Sequence, residues 1–100
     1  MRCFVVNSAH HDFSILKSEN PEEVINITEG KVNIFHTDRL RNEMKFVMES
    51  NGIKDDDFLV ISGAGILNVM AASIMKELTG RINAMVFNFT DKKYHKRYNL

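Results

Sequence analysis

One hundred residues, 44% of them apolar and 26% charged, with five Gly and one Pro, fit one globular domain and exclude collagen-like, low-complexity and disordered chains. Thirteen basic side chains against thirteen acidic ones remove the bulk attraction that carries a basic domain onto nucleic acid, which is not an expected partner. No apolar run approaches the ~18 residues of a membrane helix, MRCFVVNSAHHDFS lacks a secretory-signal pattern, and the lone Cys3 forms no internal disulfide, so a cytoplasmic chain without a membrane partner is expected.

Residues 3–6 (CFVV) are wholly apolar and β-prone, which predicts a strand buried on both faces. The segment after it, NSAHHDFS, is polar and turn-like. Residues 23–28 and 31–35 predict two strands of a hairpin turning at Glu29-Gly30, where glycine accepts a positive φ. Thr37 then caps a helix over 38–50, with Asp38 in its first turn and Leu40, Met44, Val47 and Met48 on one face. Asn51-Gly52 stops it.

Residues 58–61 (FLVI) predict a central parallel strand, and Ser62-Gly63-Ala64-Gly65 leads into a helix over 66–78. Its core stripe is Leu67, Met70, Ala71, Ile74 and Leu78. Residues 82–89 complete a strand–helix–strand crossover. The class is α/β: a small Rossmann-like sheet of four to five mostly parallel strands, two helices and one hairpin, in a single domain over 1–100. Two helices leave one face of such a sheet bare, and Ile66, Val69 and Met75 extend the apolar surface of the second helix. A homo-oligomer is therefore expected. Residues 91–100 (DKKYHKRYNL) carry +3, which leaves −3 for the rest. They read either as a solvated, flexible tail or as an arm offering cations and tyrosines to a phosphate-bearing partner.

Two loops carry most of the chemistry. At Ser62, Gly63, Ala64 and Gly65, backbone N–H groups and a helix amino end suit a phosphate or carboxylate, unless the segment is only a tight turn. Asn68 occupies the place of a third dinucleotide-fingerprint glycine, which argues against NAD; no cofactor is expected. Ser8, His10, His11, Asp12 and Ser14 follow the first strand and face the same edge. They read as ligand contacts, as an acid–base pair, or as turn caps beside an exposed His. Their spacing is not that of a metal site, and none is expected. Arg81 and Asn83 belong at the opposite edge, and so do Lys31 and Asn33 if their strand is parallel to the others. Cys3 is an inert buried thiol, and Asp55-Asp56-Asp57 solvate a loop.

The order FVVN…HDFS, TEG with VNIF, DFLVISG and GRINAMVFN resembles a group of small phage and prophage proteins, along nearly the whole chain. The resemblance implies a virus-encoded accessory protein in the bacterial cytoplasm, of a kind that blunts host defences. By position it nominates His11, Asp12, Ser14, Thr28, Glu29, Asn33, Ser62, Gly63, Arg81 and Asn83 as ligand contacts. The reading preferred is a non-enzymatic oligomer that sequesters a cyclic, nucleotide-derived signal. The alternatives are a phosphodiesterase using His10, His11 and Asp12, or an inhibitor docking on a host protein.

Overall fold

The computed structural model describes residues 1–8 and 13–100. Five strands, β1 (Cys3–Asn7), β2 (Val24–Thr28), β3 (Phe58–Val60), β4 (Ala84–Asn88) and β5 (Lys93–Arg97), lie in the order β2-β1-β3-β4-β5. The first four are mutually parallel, and β5 runs antiparallel to β4. Helices α1 (Thr37–Ser50) and α2 (Gly65–Thr79) make two of the crossovers. A short 3₁₀ helix, Ser14–Glu19, makes the third. This is the expected α/β class, with a mostly parallel sheet, two main helices and one hairpin.

The direction of travel decides which face each connection covers. From β1 to β2 the chain moves one way, and from β2 across β1 to β3 and then β4 it moves the other. Crossovers of one hand then fall on opposite faces. Accordingly α1 and α2 share a face, where Leu40, Met44, Met48, Leu67, Met70, Ile74 and Met75 pack on Phe4, Val6 and Leu59. The 3₁₀ helix covers the reverse face, where Leu16 packs with Cys3, Val5, Phe58, Val60 and Met85. The alternation of Phe4 and Val6 with Cys3 and Val5 explains why CFVV is apolar throughout.

The hairpin is not where the sequence placed it. β2 pairs in parallel with β1, and residues 29–36 form no strand. Val32 and Ile34 do turn inward onto the helix-face core, which gives a loop the alternation of a strand. The hairpin is β4–β5 instead, so residues 93–97 belong to an edge strand rather than a tail. His36 rather than Thr37 is the N-cap of α1; Thr37 is its first residue, and no side chain caps the helix. Met75 is fully buried within the chain, whereas Ile66 and Val69 remain exposed. The 3₁₀ helix supplies the cover that a two-helix count missed.

Burial also fixes the chemistry of Cys3. Its thiol is fully buried in β1, and desolvation pushes its pKa up to about 11. From thiolate fraction alone, native Cys3 at about pH 8 is expected to react about 100-fold more slowly with a maleimide than after unfolding. Equal labelling rates in the native and denatured chain would contradict this. The sign for stability follows: the protonated thiol favours folding below pH 9, and that contribution is lost as pH rises towards about 11.

Candidate functional site at the carboxyl edge

In an open parallel sheet the connections diverge where the strand order reverses, and ligands bind outside the carboxyl ends of the strands at that point. Here the order reverses about β1. The carboxyl ends of β1, β2 and β3 bring Asn7, Thr28 and Ser62 to one edge.

Asn7 is the clamp of this edge. Its backbone N–H donates to Ser62 Oγ at 3.0 Å. Its Nδ2 donates to Thr28 Oγ1 at 3.0 Å and to the Gly30 carbonyl at 3.1 Å. Thr28 Oγ1 in turn donates to the Val6 carbonyl at 2.6 Å. Three segments far apart in sequence are thereby held by one buried residue, through its backbone N–H and its side-chain amide. Sequence reasoning treated Asn7 as part of a polar turn; an Asn ending an otherwise apolar strand was the available signal.

The loop after β3 is held from inside. Ser62 N–H donates to Asn68 Oδ1 at 3.0 Å, and Asn68 Nδ2 donates to the Ser62 and Ala64 carbonyls at 3.0 and 3.1 Å. Asn68 therefore splints the loop. Gly63 adopts φ +75°, and a Cβ there would lie 2.7 Å from Asn7 Cβ. Gly65 meets no such restriction. Ala64 sits at the N-cap with extended geometry, and no side chain caps α2.

Ser8 follows β1 directly, its N–H donating to the Thr28 carbonyl at 3.1 Å. Glu29 is exposed and accepts from Asn26 Nδ2 at 3.1 Å. Ser14 opens the 3₁₀ helix. His10, His11 and Asp12 lie outside the described residues. Lys31 and Asn33, expected at the opposite edge, follow the carboxyl end of β2, because no strand carries them back. Asn33 Oδ1 accepts the Phe35 N–H at 3.0 Å. Lys31, His36 and Arg39 line a groove of about 330 Å³ with Asn33 and Glu43. Arg39 is paired there with Glu43 at 3.1 Å.

Arg81 and Asn83 do lie at the amino edge. Arg81 is exposed and Asn83 is buried. Asn83 Nδ2 donates to the Asp55 and Asp57 carbonyls at 2.6 and 3.1 Å, and its Oδ1 accepts the Asn99 N–H at 3.0 Å. Its amide is spent in holding the chain together. Beside it, Asp57 is buried and accepts from Arg2 Nη2 at 2.9 Å and from the Arg2 and Lys54 N–H groups at 3.0 and 2.8 Å. Arg2 also donates to the Asn51 and Gly52 carbonyls, both at 2.7 Å.

Among the described residues no group of three His, Cys, Asp or Glu is placed to hold a metal ion, and no helix is long and apolar enough to cross a membrane. A family model described as phage Pam3 gp32-like protein matches residues 1–99. No curated protein and no solved structure matches the chain.

Proposed function

Starting from a chain that belongs to the phage Pam3 gp32-like protein family, we propose that it is an accessory protein that binds and sequesters a nucleotide-derived signalling molecule at the carboxyl edge of its sheet. The observation that carries this reading is the reversal of strand order about β1, which opens that edge between connections leaving on opposite faces. Polar ends of three strands converge there, and α2 begins there without a side-chain cap, the arrangement that favours a phosphate. Lys31 adds positive charge beside β2, in a groove where Arg39 is paired with Glu43 at 3.1 Å.

Sequestration needs tight binding without turnover. A Kd of ~1 nM corresponds to about −12 kcal/mol, more than one edge of a small open sheet supplies. The site is therefore completed by a second copy, for which exposed Ile66 and Val69 on α2 offer apolar surface. In this reading the protein acts in the bacterial cytoplasm and blunts a nucleotide-signalled defence.

The test incubates the protein with cyclic and linear nucleotides and chromatographs the free nucleotide before and after heat denaturation. Depletion that reverses on denaturation is expected. A new product peak would replace sequestration by phosphodiester cleavage, and a panel that stays free and intact would end both readings. Ala64→Asp sharpens the result. A carboxylate at this N-cap should stabilise α2 by about 0.5–2 kcal/mol while repelling a bound phosphate. Higher Tm with lost depletion is expected; undiminished depletion would remove the phosphate from this helix end.

A further inference from the structure

We propose that the outer hairpin, β4–β5, is a binding surface for single-stranded nucleic acid, separate from the carboxyl-edge site. Neutrality of the whole chain hides a segregation of charge. Lys92, Lys93, Lys96 and Arg97 all lie on this hairpin, and none pairs with a carboxylate among the described residues. The neighbouring acid, Asp91, is engaged by His95 Nε2 at 2.7 Å.

Rings and two cations, Lys92 and Lys96, lie along the face that also carries the 3₁₀ helix. Lys92 Nζ stands 5.9 Å from the Phe89 ring centre. Phe89 packs edge-to-face on Phe87 at 5.0 Å, and Phe87 packs on Tyr94 at 5.2 Å. Further along β5, Lys96 Nζ stands 5.7 Å from the centre of Phe58, and Tyr98 meets Phe58 edge-to-face at 5.2 Å. Register agrees with this placement, since Tyr94 and Lys96 lie opposite Phe87 and Met85. The two ends of the row are open: Phe89 is 77% exposed and Tyr98 62%. Lys93 and Arg97 project to the other face of the same edge strand, opposite Asn88 and Ala84.

Exposed rings on one face of an edge strand whose cations project to both faces are what a single strand requires. Its phosphates track the positive groups while its bases stack on rings, a combination indifferent to sequence. An acidic protein segment would use the cations and leave Phe89 and Tyr98 idle, which is why the rings select nucleic acid. A B-form duplex offers no unstacked base for them.

The test follows the anisotropy of fluorescein-labelled oligo(dT) and oligo(U) with increasing protein, from about 50 to about 200 mM salt. Both are expected to bind, with log K falling against log salt at a slope of about −3 if the four cations each meet one phosphate. Lys92→Gln/Lys93→Gln, at two exposed positions, should make that slope shallower by about 1.4. Phe89→Ala, also exposed, should lower affinity by about 5- to 100-fold with the slope unchanged. Unlabelled oligo(dT) should compete and poly-glutamate should not. Absence of binding at the low salt, equal competition by poly-glutamate, or full affinity in Phe89→Ala would each overturn the proposal.

Discussion

Gly63→Ala should cost about 2–5 kcal/mol, the sum of left-handed strain and overpacking against a neighbour that cannot retreat. Gly63 holds φ +75°, and the added methyl would stand 2.7 Å from Asn7 Cβ. Asn7 cannot give way cheaply, because its backbone is a strand end and its amide is tied to Thr28 and Gly30. Gly80→Ala is the matched comparison: φ is +81°, but nothing lies within 4 Å. It should show the strain alone, about 1–2 kcal/mol. Thermal unfolding measures both, at about 4–8 °C per kcal/mol for a chain of this size. Equal shifts in the two variants would mean that the contact with Asn7 carries no energy.

Asp57→Ala should be as severe, about 3–5 kcal/mol, because it leaves the partners of a buried charge unpaired. The Asp57 side chain is 2% exposed and accepts from the guanidinium of Arg2 and from two backbone N–H groups. Arg2 simultaneously holds the Asn51 and Gly52 carbonyls. One ion pair thus joins the start of β1, the end of α1 and the approach to β3. Glu77 makes two ion pairs, with Arg41 and Lys45, yet stands in solvent, where screening leaves such pairs little net value. Glu77→Ala should scarcely move the denaturation midpoint. A comparable loss in both variants would refute the distinction drawn from burial.

What was legible in the sequence was whatever burial writes as a pattern. The apolar runs CFVV and FLVI were the central strands, and the Leu40, Met44 and Met48 stripe was the inner face of α1. Edge elements write no such pattern. In β5, Lys, Tyr and His alternate on a strand with one free side, and an edge protected by lysines resembles a tail. Asn88 and Asp91 were the turn signal: their side chains accept the Thr90 and Lys93 N–H groups at 2.8 and 3.1 Å. The 3₁₀ helix buries only Leu16 and ends at Asn20 in left-handed conformation, so its one legible mark was Asn-Pro.

The residues of the candidate edge divided along the same line. Ser62, Gly63, Ala64 and Gly65 could be read because a glycine loop between strand and helix is a local feature. Asn7 could not, because its meeting with Thr28 and Ser62 depends on strand order. Asn83 and Asp57 carried the opposite ambiguity. A buried polar residue and an exposed one have the same letter, and only the fold reveals that this amide and this carboxylate are already occupied.

The pairing of Cys3 with Phe58 and of Phe4 with Leu59 also sets a timetable. β1 can meet β2 early, across a short connection, but its other flank stays open until more than half the chain has followed. Closing that separation carries a loop entropy that local helices do not face. During synthesis the most apolar strand of the protein therefore waits half-paired, with CFVV bare along one edge, and assembly of the sheet is gated by the arrival of FLV. The strand made first thus stays half-paired while more than half of the chain is made.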